Sequence, residues 1–374
     1  MPESISGELV ALRERAERFA RDVLVPNQKA LAAGSPDATV RAEIVRAARD
    51  AGFFAMTQPR SVGGAEAGLL ALTVVRDTLA GFNTGLAHYA FGPGPGVLAG
   101  CAEPLRSQYL TPLLNGEKRA GFAFTEPDDA AHFTRAVPTA EGLRVTGRKS
   151  YVTGGGSADF LNALVEVPDQ GRAMLVIATR APGVVLERRF ASLDGSHHAA
   201  FRFDDVLVPS DRIIGRPGEG LPRAMRQIGD TRLLIAAEAV GLARWAVEFT
   251  TEHLKAPHHS GEPLGAREGV RLRYADLRIR TFAARSMLYR TARLGEAGEN
   301  IVNEVIACKV YATETLSDVV DGAIQLVGGK ALTVGHPLEQ LYREVRSLRL
   351  AEGASDVLRL NLARGRLDLD KGVL

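Results

Sequence analysis

Apolar residues near the start of the chain recur at alternating three- and four-residue steps: Leu9, Leu12, Ala16, Phe19 and Val23. That spacing lays one apolar stripe along a helix, which Pro26 is expected to end. Val40 to Ala51 repeats the pattern and stops at Gly52, and further helices are predicted over Leu69 to Ala80 and Pro104 to Leu114. The stretches PRSVGGAEAG (59–68) and FGPGPG (91–96) are too rich in turn formers to be helix interiors. Near Arg119 the period changes. Leu143–Thr146, Ala163–Val167, Ala173–Ile177, Val184–Leu186 and Ala200–Phe203 are short, mostly β-branched or alternating, and separated by Gly, Pro, Asp and Ser. They predict a small antiparallel β domain, with Val206–Pro209 leading out of it. Helical spacing returns from about Gly220, over Leu233–Phe249, Arg267–Gly295, Glu299–Val327 and the segment after Glu352. Four helices joined by loops predict a C-terminal bundle. The expected fold class is α+β, mostly α. Its domains are a helical one at 1–118, a β domain at 119–222 and a four-helix bundle at 223–374.

Composition changes this picture little. The 374 residues carry a formal net charge of +2, with acidic and basic residues interspersed and no basic block that would suggest nucleic acid. No apolar run approaches the ~20 residues of a membrane span. The first residues have neither a basic n-region nor an apolar h-region, so a cytoplasmic location is expected. Cys101 and Cys308 offer neither a disulfide framework nor metal-ligand spacing, and no metal site is expected.

One carboxylate stands out. Glu352 lies in Ala351–Ser355, a short break between two segments of helical spacing, with Gly353 interrupting the first and Ser355 placed to cap the second. A carboxylate on such a break can project into a cleft while both helices hold it still. Alone, the same arrangement describes a solvated turn.

Three motifs give the break a context. Phe122-Ala123-Phe124-Thr125-Glu126-Pro127 opens the β domain, and Gly147-Arg148-Lys149-Ser150-Tyr151-Val152-Thr153-Gly154 follows within it. Gln325-Leu326-Val327-Gly328-Gly329 then precedes Tyr342-Arg343-Glu344 and the Glu352 break. In this order the motifs and the domain sequence resemble the acyl-CoA dehydrogenase family over nearly the whole chain. The resemblance implies FAD as cofactor, with Phe122, Phe124 and Thr125 along the flavin ring's edge. Tyr151 would stand in place of the family's Trp, Val152 beside it, and Thr153 near the hydride-accepting nitrogen. Gln325, Gly328, Gly329, Ala354 and Asp356 would complete the cofactor site, and Ala131, Asp230 and Gly353 would meet substrate.

The resemblance further implies that Glu352, with Arg232 organising charge beside it, removes the α-proton of an acyl-CoA or acyl-carrier thioester while the β-hydrogen leaves as hydride. Some members carry the base on the first bundle helix, immediately before an Arg. Here that position is Thr231, which leaves Glu352. The implied partners are an electron-transfer flavoprotein-like acceptor and sister subunits, in a homotetramer or a heterotetramer with a paralogue.

The chain also departs from the pattern. Asp128-Asp129-Ala130-Ala131-His132 replaces a Gly- and Ser-bearing loop, and two carboxylates there would repel a pyrophosphate. Pro257-His258-His259-Ser260-Gly261 lacks the Arg expected to bind pyrophosphate across a subunit interface. Two alternatives follow: a same-fold flavin monooxygenase, or a partner subunit of a heteromeric dehydrogenase.

Overall fold

The structure, a computed structural model, describes residues 4–28, 38–259 and 261–370. The chain divides into two compact units. One holds Met1–Met56, Glu66–Phe91 and Gly229–Leu374; the other holds Thr57–Ala65 and Gly92–Ile228. The N-terminal helices and the bundle therefore belong to a single unit, and the β domain extends into the segments on either side of it.

In the first unit α1 spans Gly7–Phe19, capped by Ser6, whose side chain accepts from the Leu9 N–H. Pro26 does not end this helix. A π turn at Ala20–Leu24 carries the chain into the short α2, Val25–Asn27, where Pro26 sits in the first turn and needs no N–H. Two further helices follow, α3 at Ala38–Asp50 and α4 at Leu69–Ala80. Phe19, Ile44, Phe53, Val75 and Leu79 close a core between these elements.

The second unit contributes α5, Thr111–Asn115, preceded by a π turn at Arg106–Leu110 in place of one regular helix. Its strands are β1 (Ala120–Ala123), β2 (Arg135–Thr139), β3 (Gly142–Thr153), β4 (Phe160–Val167), β5 (Gly171–Ala178), β6 (Val184–Ala191), β7 (His197–Val208) and β8 (Ile213–Ile214). They form one sheet in the order β6-β7-β3-β2-β4-β5-β8, with β1 on β4. The sheet is not wholly antiparallel, because β1 runs parallel to β4 and β2 meets β4 in parallel at Arg135. Val206–Val208 is the end of β7 and not an exit from the sheet, since Leu143, Arg144 and Val145 pair with it.

The long helices are α6 (Gly220–Lys255), α7 (Glu268–Glu296), α8 (Val302–Val327), α9 (Pro337–Leu348) and α10 (Ser355–Leu367). Leu233, Ala237, Val240, Leu288, Leu316 and Val320 are among the residues that fill the space between them. Ser355 is the first residue of α10 and not its cap. The cap position is Ala354, with no side-chain bond, and the Ser355 hydroxyl donates instead to the Arg349 carbonyl at 3.4 Å.

Candidate active site

The Glu352 break survives in three dimensions as the turn between α9 and α10. Glu352 adopts φ 53°, a left-handed conformation that costs a non-glycine residue energy and persists only where its surroundings impose it. Two buried cations impose it here. Arg232 Nε donates to the Glu352 carbonyl at 2.9 Å, and Lys309 Nζ donates to the carbonyls of Gly353 at 2.9 Å and Arg349 at 3.3 Å. Gly353 follows at φ 110°, and a Cβ there would stand 3.1 Å from Leu358 and 3.4 Å from the Arg232 guanidinium. A glycine is needed to turn the chain this close to that cation.

Arg232 is a buried residue twelve positions into α6, not an exposed one at a helix start. Burial raises the Glu352 carboxyl above its usual range, against the opposing pull of Arg232 and Lys309. Burial also pushes Lys309 down to about 8, with Arg232 adding to the effect. The backbone N–H of Glu352 has no hydrogen-bond acceptor among the described residues. Lys309 was hidden in the sequence by its apolar neighbours; the signal was a lysine inside the buried stripe of α8, next to Cys308.

A second constellation lies in the β unit. Between Lys149 and Val152 the β3–β7 register slips, so Ser150 and Tyr151 bulge from the ladder. The bulge turns Tyr151 outward at φ 53°, 61% exposed, edge-on to Phe190 at 5.3 Å. Ser150 donates to the Thr125 carbonyl at 2.8 Å, which brings Thr125 beside the bulge. Thr125, Tyr151 and Thr153 are all exposed, and the Thr125 hydroxyl has no partner among the described residues. The Thr153 hydroxyl lies 3.2 Å from His198 Nδ1, a neighbour the motifs did not reveal. Val152 is fully buried in the sheet core, which leaves only its backbone for a ligand. Phe122 and Phe124 stack on each other at 5.7 Å and pack partly against the cluster that contains Leu98 and Phe160.

Glu126 and Lys149 explain why the first two motifs occur together. The buried Lys149 ammonium donates to Glu126 at 2.8 Å and to the Phe124 carbonyl at 3.2 Å, while Glu126 also accepts from the Thr134 N–H at 2.8 Å. The acidic loop is less repulsive than its sequence suggests, because Asp129 forms an ion pair with Arg148 at 2.9 Å. Hydrogen bonding to Arg148 holds the Asp129 carboxyl below its ordinary value. Ala131 lies on an exposed bend of that loop, and Asp230 is exposed on α6.

The remaining residues gather elsewhere. Gln325 is sixteen residues along α8 from Lys309, about 24 Å at 1.5 Å per residue. It is exposed, as are Gly328 and Gly329, where Gly328 ends the helix at φ 85°. Lys330 follows, and its charge reaches His253 at the end of α6 together with those of His258 and His336. Nearby, a cleft of ≈ 720 Å³ is lined by Lys255, Arg271, Tyr274 and Arg278. Its α6 lining, Val247 to Lys255, lies about 22–34 Å along the helix from Arg232, and none of the residues that hold the Glu352 turn lines it. Ser260 of the Pro257–Gly261 loop is outside the described residues. Ala354 is half-buried in the turn, and Asp356 is exposed, 3.5 Å from Arg359.

Known proteins share this architecture. Residues 6–117 match the N-terminal domain of acyl-CoA dehydrogenases and residues 218–367 their C-terminal domain. An acyl-CoA dehydrogenase of Bacillus subtilis is 26% identical, over 96% of this chain and 98% of that one. The crystal structure of a probable acyl-CoA dehydrogenase from Mycobacterium abscessus superposes with a TM-score of 0.84 at 26% identity, covering 96% of this chain and 98% of that one. The FAD complex of PigA shares the fold, with a TM-score of 0.86 at 23% identity over 99% of this chain and 100% of that one. No helix among the described residues is long and apolar enough to cross a membrane. The chain belongs to the acyl-CoA dehydrogenase family of FAD-dependent oxidoreductases.

Proposed function

We propose that this chain introduces an α,β double bond into an acyl thioester, with Glu352 as the base that takes the α-proton. The observation that carries this reading is the Glu352 turn itself. It presents a desolvated carboxylate with a raised pKa and an unengaged backbone N–H, both held by Arg232 and Lys309. An α-proton beside a thioester is a far weaker acid than a free carboxylic acid. A base whose pKa is raised by burial is better matched to it. In this reading the unengaged N–H of Glu352 donates to the thioester oxygen as negative charge develops there. Losing one such donor typically costs ~3 kcal/mol of transition-state stabilisation. A flavin oxygenase acting on a non-thioester has no use for this base.

The residues present fit a flavin. Tyr151 offers an exposed ring, and the exposed hydroxyls of Thr125 and Thr153 belong to residues that adjoin the same β3 bulge, as the edge of a heteroaromatic ring requires. When bound, the flavin supplies the hydride acceptor. Thr153, shared with His198, would orient its donor toward that acceptor; Thr125, with no protein partner, would hold the pyrimidine edge. The direct test is the purified protein's flavin spectrum, followed by anaerobic addition of acyl-CoA. Bleaching of the flavin band is the expected result, and an unchanged spectrum across chain lengths would reject the reading.

The pH profile offers a second test. Glu352 must be ionised to act, so activity is expected to rise with pH through its pKa, above the ordinary carboxylate range. Lys309 favours the ionised form, and Lys309→Met should therefore move the acid limb of kcat/KM to higher pH, whereas Lys309→Arg should leave it near the parent's. A limb that stays in place in Lys309→Met would show that Lys309 does not act on the base.

The absence of an Arg at Pro257 bears on assembly. Lys330 follows Gly328–Gly329, the charges of Lys330, His258 and His336 act on His253 at the end of α6, and Lys255, Arg271 and Arg278 line a cleft at that same end. These donors favour a homo-oligomer that holds the FAD phosphates with its own side chains. The chain purified alone is expected to carry one FAD per protomer. Substoichiometric FAD, restored by a co-expressed paralogue, would favour the heteromer instead.

A further inference from the structure

The exposed Thr153 has one hydroxyl proton, and the β6–β7 hairpin decides where it points. His198 of β7 lies against it, with Nδ1 3.2 Å from the Thr153 hydroxyl. On its other side, His198 Nε2 stands 3.0 Å from the Ser196 hydroxyl. Ser196 in turn donates to the Asp194 carboxylate twice, from its hydroxyl at 2.6 Å and from its backbone N–H at 2.9 Å. A continuous run of hydrogen bonds thus joins the turn at Asp194 to Thr153. Asp194, Ser196 and His198 are half-buried. The Phe190 ring stacks on the imidazole at 5.5 Å, and Tyr151 stands edge-on to it at 6.2 Å.

Counting protons fixes the direction of this run. A serine hydroxyl has one proton, and the shorter, charge-assisted bond to Asp194 takes it. Ser196 can then offer His198 only a lone pair, so Nε2 must carry a hydrogen. With that single proton, His198 has a bare Nδ1, which draws the Thr153 proton and leaves Thr153 presenting a lone pair outward. With a second proton, Nδ1–H donates to the Thr153 oxygen, and the Thr153 proton turns outward. The charged groups around the imidazole are Asp194, through Ser196, and Arg188 of β6, whose guanidinium lies 4.5 Å over the Phe190 ring. Arg189 of β6 donates away from it, to the Gly156 carbonyl at 3.1 Å. Tyr151 of β3 and the adjacent His197 are the titratable neighbours.

We propose that Asp194, Ser196 and His198 are positioning residues that switch Thr153 between donor and acceptor according to the protonation of His198. The inference rests on the reading that puts Thr153 beside the hydride-accepting nitrogen of the flavin. A hydroxyl there must donate before hydride arrives and accept afterwards. A lone threonine could rotate between the two. Here the Ser196–Asp194 pair removes the singly protonated form of His198 that would donate to Thr153, so turning the Thr153 proton outward requires a second proton on the imidazole.

The test is the flavin's reduction potential, measured by dye equilibration in the FAD-loaded chain at about pH 5.5 and about pH 8.5, either side of the ordinary imidazole range. At the higher pH the parent's Thr153 presents an acceptor, which disfavours the oxidised cofactor. Ser196→Ala lets His198 carry its one proton on Nδ1 and frees Thr153 to donate. Its potential is expected to fall below the parent's by an about ten-fold change in the redox equilibrium, about 30 mV for a two-electron couple. Asp194→Asn, whose amide can donate to Ser196 and turn that hydroxyl toward His198, should do the same, and it replaces Ser196→Ala should that variant fail to fold. At the lower pH both imidazole nitrogens carry hydrogen, and the gap should close. Thr153→Val should also lower the potential at the higher pH, by removing the acceptor. If Thr153→Val does so while the parent matches Ser196→Ala and Asp194→Asn there, or differs from them equally at both pH values, the switch is overturned and Thr153 stays at the flavin. A raised potential in Thr153→Val overturns the switch in the same way, since Thr153 would then be a fixed donor. An unchanged potential in Thr153→Val removes Thr153 from the hydride-accepting nitrogen, and this inference with it.

Discussion

Glu352→Gln is expected to lower kcat for thioester oxidation by about 10²–10⁴-fold, the usual contribution of a positioned general base. The amide is nearly isosteric but cannot accept the α-proton. Its backbone is unchanged, so the bonds from Arg232 and Lys309 to the turn carbonyls should persist, and with them the unengaged backbone N–H of the turn. Loss of kcat with little change in substrate affinity is therefore the expected pattern. Stability gives an independent readout with a definite sign. The Glu352 carboxyl has a folded-state pKa above its unfolded value, so the folded state binds more protons across that interval. Stability must then fall as pH rises from the ordinary carboxylate range through the folded pKa. Glutamine has no proton to lose. The variant should match or exceed the parent's thermal stability at neutral pH while losing its activity. A variant that keeps near-parental turnover, or that loses activity only by unfolding, would remove Glu352 from the role of base.

Much of this was legible in the sequence because helical spacing is strong where one face is buried. The apolar spacing predicts α4 over Leu69–Ala80, as observed, and α8 from Glu299, three residues before its actual start. Pro26 looks like a stop in the sequence, but a proline needs no N–H in a first turn, and the π turn before it opens a new short helix there. The sequence predicts an antiparallel β domain because hairpin signals are local. The parallel pairing of β1 with β4 joins segments almost forty residues apart, which no local pattern records. The Glu352 turn was visible through its Gly, but not what holds it. Arg232 and Lys309 come from other helices, 120 and 44 residues distant from their carbonyl partners. The bulge that turns Tyr151 outward was equally hidden, since register slips depend on the partner strand.

Asp77→Ala is expected to be the most destabilising single change in the helical unit, at about 3–5 kcal/mol, the range for breaking a buried ion pair from one side. Asp77 is 0% exposed and gathers three elements at once. One carboxylate oxygen accepts from Arg244 of α6 at 2.6 Å; the other accepts from Arg285 Nε at 3.0 Å, Arg285 Nη2 at 2.8 Å and the Tyr289 hydroxyl of α7 at 2.8 Å. The backbone is drawn in as well. Gly241 of α6 packs so closely on α4 that a Cβ there would stand 2.5 Å from the Asp77 carbonyl oxygen. Alanine would leave two guanidiniums and a phenol facing a site that no longer offers a charge. Because Tyr289 is fully buried, water cannot replace the lost acceptor at its hydroxyl without the helices parting. Asp77→Asn retains one acceptor oxygen and should lose less. The control is Asp318→Ala, which removes an ion pair of similar length, 2.7 Å to Arg280, with both side chains more than half exposed. Solvent screening should hold its cost to about 0–1 kcal/mol. Denaturant titration followed by far-UV circular dichroism measures all three variants. If Asp77→Ala unfolds no earlier than Asp318→Ala, then packing around Gly241, and not the buried carboxylate, joins α4 to α6 and α7.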